Sequence, residues 1–254
     1  MILKLFIYLV LVGSCGSVLA CNAPTGEQYP VVKNNEGYMS FEKKIIPQDD
    51  GGNGVDKGIA VFFDNCEDGK KKLIGDLPFL AETGRVVDAF FAEVDSEQKF
   101  FVIHNVLIRS ETQPGDTGDY YSVLVYTHRG SNYVEDARLS NYFGKGSDIR
   151  DGLEIGNYAY VYPYKTRKSI TDRIATTGFK RWDSGGVVHL LIKSKTNIYE
   201  VPSIATKTRM YLVPGDQVLQ QDVEAGWVSI VYETKNHKTI SGWIPCVAVG
   251  GCEL

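Results

Sequence analysis

The groups in this chain that could do acid–base, nucleophilic or metal chemistry are five cysteines, four histidines and 31 carboxylates. A cysteine nucleophile needs an imidazole beside it, or a helix N-terminus, to hold it as thiolate at neutral pH. Cys66 is the one centrally placed cysteine, and it precedes Glu67-Asp68-Gly69 rather than opening an apolar helix. His104, His128, His189 and His237 are scattered and form neither an HExxH nor an HxH pattern. No GxSxG elbow, P-loop or SxxK is present. Asp116, Asp119, Asp148 and Asp151 lie in Gly-rich loops, and could act as acid and base only if the fold brought them together. The loop Gln48–Gly58 offers Asp49, Asp50, Asn53 and Asp56 as hard oxygen ligands. It lacks the alternation and the closing bidentate acid of a calcium loop, so it reads as a solvated turn. The expectation is a protein that is not an enzyme, with no catalytic residue, metal or cofactor.

Binding chemistry is more visible than catalysis, and it is concentrated from Val187 to Val249. The runs KSKTNIYEVPS, TKTRMYLVPGDQVLQQ, AGWVSIVYE and TISGWIPCVAV are short and rich in β-branched and aromatic residues, with Pro, Gly, Asp or Asn at their ends. That is the signature of successive short strands. Tyr199, Tyr211, Trp227, Tyr232 and Trp243 are the candidate ligand-binding residues. Each either packs the core, burying its large ring with the polar tip outward, or lines a groove. Trp227, following Gly226 at a strand start, is the one expected to reach a groove.

IYEVP, MYLVPGDQV, AGWVSIVY and SGWIP, with Gly215-Asp216, Gly226-Trp227 and Gly242-Trp243-Ile244, resemble the strands of a bacterial SH3-like domain over the last quarter of the chain. The resemblance implies a small β-barrel that binds cell-wall peptides, binds proteins or supports a neighbouring domain. Fold alone does not choose among these.

The elements before it read as an antiparallel, Tyr- and Phe-rich sheet. FEKKII and IAVFF are strands, Val86–Ser110 is two strands about an acidic turn, and Tyr120–Thr127 and Asn157–Tyr162 are further strands. AFFAEVDSEQKFFVI resembles one FG-GAP-type strand-loop-strand unit. Glu93, Asp95 and Glu97 stand at the acidic positions, but Gln98 replaces the turn glycine and Phe101 the late carboxylate, so it reads as a hairpin without metal. NYFGKGSDIRDG is taken as a Gly-rich loop. One short helix, Ile170 to about Trp182, is expected with Ser169 as its cap and Asp172 three residues on. Asp183-Ser184-Gly185-Gly186 breaks the pattern. The fold class is therefore mainly β: an antiparallel β-rich domain over 21–182 with one helix, a linker at 183–186, and an SH3-like barrel over 187–254.

Residues 1–20 read as an export signal: Lys4, an apolar run from Leu5 to Val12, and Val18 and Ala20 at the cleavage positions. The mature chain would begin at Cys21. Cys15 leaves with the signal, and Cys21, Cys66, Cys246 and Cys252 remain. An even number suits disulfides in an oxidising compartment. The spacing suggests Cys21 with Cys66 and Cys246 with Cys252, although three pairings are formally open. Val18-Leu19-Ala20-Cys21 also approximates a lipoprotein box, and a lipid on Cys21 would leave Cys66 a free thiol. The net charge of −4 argues against nucleic acid as a partner and against charge-driven binding to anionic lipid. These features imply a periplasmic or secreted binding protein, or a lipoprotein anchored through Cys21. Its expected partner is a protein of the cell envelope, as for an inhibitor or immunity protein. The alternative is peptidoglycan bound in the groove of the SH3-like domain.

Overall fold

A computed structural model describes residues 21–46, 56–80, 82–108, 118–150 and 158–250. The expected signal, most of the Gln48–Gly58 loop, Asp116, Asp151 and Cys252 lie outside the described residues. The protein is mainly β, in several antiparallel sheets.

The first sheet holds β1 (Val32–Lys33), β2 (Gly37–Ile46), β3 (Asp56–Asn65) and β4 (Lys71–Asp76) in sequence order. The Cys21–Cys66 disulfide joins the entry segment to the end of β3. The second sheet holds β5 (Arg85–Val94), β6 (Glu97–Ile108), β7 (Gly118–Arg129) and β8 (Asn132–Glu135), with β9 (Lys145–Gly146) on β7. β5 and β6 meet at a two-residue turn in which Asp95 and Ser96 both have positive φ, 46° and 63°. Such a turn matches the twist of a hairpin. Glu97 is held by Lys99 at 2.6 Å, and Glu93 and Asp95 line one cleft.

This second sheet is covered on both faces. Phe100 and Val102 of β6 join Met39, Phe41, Val61 and Phe63 of the first sheet in one core. Their neighbours Phe101 and Ile103 point the other way, into a second core with Leu139, Tyr142, Phe143, Ile170, Ile174 and Phe179. Because strand side chains alternate between faces, a strand buried on both must be apolar at successive positions. That is why β6 reads QKFFVIHNV rather than alternating.

The second core is capped by three short helices, α1 (Ala137–Phe143), α2 (Arg167–Ala175) and α3 (Thr177–Asp183). The sequence pattern predicts only one. α1 falls where a Gly-rich loop is expected: Asp136 accepts the Leu139 N–H at 3.1 Å as its cap, and Leu139, Tyr142 and Phe143 form its buried stripe. The expected helix over 170–182 is instead two. Thr166, not Ser169, is the first cap, and Ser169 occupies the reciprocal position of a capping box. Thr176 then leaves helical geometry (φ −69°, ψ 147°) and caps α3 through Phe179 N–H. β10 (Ile149–Arg150) and β11 (Tyr158–Tyr160) form a small ribbon beside this core.

The C-terminal sheet contains β12 (Val188–Ile192), β13 (Thr196–Tyr199), β14 (Lys207–Leu212), β15 (Gln217–Glu224), β16 (Trp227–Glu233), β17 (Thr239–Pro245) and β18 (Val249–Gly250). Its order is β14-β13-β17-β16-β15-β12-β18. Leu212 of β14 and Val249 of β18 share one core with Ile198, Val228, Ile230 and Ile244, so the sheet wraps around its own interior. The expected barrel nevertheless does not close, because no ladder joins β14 to β18 among the described residues. The β12–β15 ladder runs on into the β14–β15 turn. There the Asp216 carbonyl accepts the Ile192 N–H, and Gly215 N–H donates to the Ile192 carbonyl, each at 2.9 Å.

Candidate binding surface on the C-terminal sheet

Alternation along the strands divides the five aromatic candidates. On β16, Val228 and Ile230 point into the sheet's interior, and Tyr232 packs on the same side. Its hydroxyl donates to Asp216 Oδ1 at 3.1 Å, while Asp216 Oδ2 accepts the Val213 N–H at 2.8 Å. Tyr232 therefore anchors the β14–β15 turn and stands away from the outer face. Its ring is half-buried and its hydroxyl is held by that turn.

Trp227 is buried, whereas its place after Gly226 leads to the expectation that it reaches a groove. It is on the outer face but only 2% exposed, stacked on Tyr160 at 5.3 Å and edge-on to Tyr199 at 5.0 Å. The cause is the β15–β16 turn. Ala225 and Gly226 take φ of 51° and 82°, and the tip they make is inserted against the first part of the chain. Ala225 N–H donates to the Tyr142 carbonyl at 3.1 Å, and the Tyr160 hydroxyl donates to the Ala225 carbonyl. A side chain at Gly226 would meet Pro163 at 2.6 Å. Gly226 thus permits both the backbone angle and the close approach, and the residue after it is drawn into the core. Val223, Ala225 and Trp227 belong to the core formed by Phe101, Tyr142 and Phe143.

The other three candidates share a face. Tyr199 is paired with Trp243, and Asn197, two residues before Tyr199, is paired with Tyr211. Tyr199 and Trp243 are half-buried, leaning on the edge of the second core. Tyr211 is 56% exposed, with the Lys195 ammonium 4.6 Å from its ring centroid, a cation–π arrangement. Along the same stretch of chain, Met210 and Val213 are also exposed, at 40% and 41%. The face carries exposed Tyr211 and the half-buried rings of Tyr199 and Trp243, with Lys195 against Tyr211 and Lys207 and Arg209 exposed on the same strand. It suits a partner that offers apolar side chains and negative charge.

Several groups with catalytic potential have structural partners. Cys66 is bonded to Cys21. Cys246 is disulfide-bonded as well, and Cys252, its expected partner, lies outside the described residues. His104 is fully buried with Nε2 3.0 Å from the Thr83 carbonyl, and burial pushes its pKa down. His128 lies 3.1 Å from Glu36, His237 lies 2.9 Å from Glu233, and His189 is exposed on β12. The structure does bring Asp119 and Asp148 to one cleft of about 360 Å³, with Tyr121, Arg150, Tyr158 and Lys165. Both Asp148 oxygens are engaged there, by the Tyr162 N–H at 2.9 Å and by Lys165. Among the described residues, no group of three or more His, Cys, Asp and Glu side chains is placed to hold a metal ion.

One charged cluster that the sequence did not reveal ties three elements together. Arg167 of α2 grips Asp88 of β5 through Nε (3.0 Å) and a terminal nitrogen (2.5 Å), and Tyr29 donates to the same carboxylate at 3.1 Å. Burial acts to raise the Asp88 pKa, but the Arg167 guanidinium, helped by Tyr29, holds it below the ordinary value. Its members are 59 and 79 positions from Asp88, and no local pattern signals such a meeting.

Comparison of the chain with protein-family models, curated proteins and solved structures returned no match.

Proposed function

We propose that this is an exported, non-enzymatic binding protein that presents the Tyr199–Tyr211–Trp243 face of its C-terminal sheet to a protein partner in the cell envelope. In its sharpest form it is an inhibitor or immunity protein acting on an envelope enzyme. The observation that carries the reading is Tyr211, a large aromatic held in the open on an outermost strand beside Lys195, with two more aromatics on the same face. Tyrosine and tryptophan supply large contact area at low entropic cost, and energetic anchors of interfaces are enriched in them. The Cys21–Cys66 bond supports an oxidising, non-cytoplasmic compartment. A sulfur in that bond cannot also carry a lipid, which favours a periplasmic or secreted protein over an anchored one. The non-enzymatic reading draws support from the commitment of Cys66, His104 and Asp148 to structural contacts.

Affinity capture from native envelope extract tests this, run in parallel with the wild-type chain and with Tyr211→Ala. A stoichiometric partner retained by the first and lost by the second is the expected result. The reading fails if no partner is held, or if the partner is indifferent to Tyr211. Half-exposed Trp243 beside Tyr199 also suits stacking on a sugar, so peptidoglycan remains the second reading, without Trp227. Co-sedimentation with purified sacculi that is lost with Trp243→Ala would favour it.

A further inference from the structure

Strand β14 stands at one end of the C-terminal sheet and, among the described residues, pairs only with β13. Of its six residues, Lys207, Arg209, Met210 and Tyr211 are exposed, Thr208 is half-buried, and only Leu212 is buried. An outermost strand carries backbone donors and acceptors on its free side that can template an added strand. Two features decide what this edge can accept. The first is charge. The chain as a whole is acidic, at −4, yet this edge carries Lys207 and Arg209, with Lys195 beside Tyr211. Among the described residues no carboxylate lies within ion-pairing distance of Lys207 or Arg209. The second is apolar relief. Met210, Tyr211 and Val213 are 40%, 56% and 41% exposed, offering side-chain contacts along an added strand.

The charge also argues against a second copy of this chain as the occupant. Pairing two β14 edges would bring Lys and Arg of one copy close to Lys and Arg of the other, and like charges across a ladder are destabilising. Edge lysines and arginines are a common deterrent to such self-association. The same cations are no deterrent to a strand bearing Asp or Glu.

We propose that the free edge of β14 accepts an extended, acidic segment of a protein partner as an added antiparallel or parallel strand, with its carboxylates on Lys207, Arg209 and Lys195 and its apolar side chains on Met210 and Tyr211. This rests on the reading of the C-terminal face as a protein-binding surface, and it names the occupant and the mode.

The test uses the full mature chain and a displayed library of short random peptides, so the natural partner need not be in hand. The expected selection is of peptides rich in Asp and Glu alternating with apolar residues. Their binding should slow amide hydrogen exchange across Lys207–Leu212, and the double reversal Lys207→Glu/Arg209→Glu should weaken it by about ten-fold. Circular dichroism of the double reversal confirms that the fold is retained. Neutral or basic selected peptides, protection elsewhere in the chain, indifference to the charge reversal, or no selected peptide at all would overturn the proposal. The natural partner separates this proposal from the reading beneath it. A captured partner that is lost with Tyr211→Ala yet undiminished by the charge reversal would remove strand addition while leaving the binding surface in place.

Discussion

Strands β6 and β14 are both rich in large side chains, and they use them in opposite ways. In β6, Lys99 through Val106 are buried without interruption, Phe100 and Phe101 going to different cores. In β14 only Leu212 is buried, and Tyr211 lies open. The difference is position in the sheet. A strand with sheet neighbours on both edges and packed layers on both faces has every side chain committed. An outermost strand keeps a free edge and one free face. The comparison extends to the two C-terminal tryptophans. Trp227 sits beside a turn that is inserted into the rest of the chain, whereas Trp243 lies two strands from the edge and keeps part of its ring in solvent. Aromatic identity therefore does not sort core from surface in this protein. Distance from the nearest covering layer does.

Four measurements can break or sharpen this contrast. The largest effects belong to the committed aromatics: Phe101→Ala and Trp227→Ala should each cost about 3–5 kcal/mol in urea unfolding, from lost burial plus the cavity left behind. A loss near that expected of a surface site at Trp227 would mean that the turn it flanks is not inserted as described. Next comes the Cys21–Cys66 bond, whose sequence separation is 45. Chain-entropy reasoning gives about 4 kcal/mol for a loop of that size, so a Cys21→Ser/Cys66→Ser double variant should melt well below the wild type, as should the wild type under reductant.

The third effect is one of pH. The Asp88 pKa is held below its unfolded value, so its stabilising contribution is complete above the unfolded aspartate pKa of about 3.9. It is lost as pH falls through the lower, folded value. Asp88→Asn should therefore be less stable than the wild type at neutral pH, and the gap should narrow only at strongly acidic pH. A gap independent of pH would show that the carboxylate charge is not what Arg167 and Tyr29 stabilise. The smallest effect is the most diagnostic for function: Tyr211→Ala should change folding stability by no more than about 0.5 kcal/mol, as befits an exposed site, while abolishing partner capture. A large loss of stability there would place Tyr211 with the committed aromatics and remove it from the binding surface.

Much of the strand layout is legible because short strands leave a local trace. FEKKII, IAVFF, the acidic hairpin after Val86, and the four C-terminal runs all form strands close to where their composition places them. The Cys21–Cys66 pairing is the one that the spacing suggests among the three that the cysteine number leaves open. Helix α1 escapes a reading by pattern although its signals are present: a capping Asp136, apolar residues at 139, 142 and 143, and Gly144 at its end with φ of 62°. The glycines after it merge it into one apparent loop, and a helix of seven residues spans too few turns for periodicity to stand out. Of the five candidate aromatics, three share a face. No local pattern could separate them from Trp227 and Tyr232, whose partners include Tyr160 and Asp216.

The order of residues was sufficient for what depends on neighbours along the chain: which segments extend and where they turn. It was not sufficient for what depends on the second layer. Whether a strand is covered on one face or two, whether a wrapped sheet closes, and whether a tryptophan after a turn glycine meets solvent or Tyr160 are all settled by segments tens of residues away. Burial is a property of the assembled layers, and the alternation of a strand says only that two faces exist, not what lies against each.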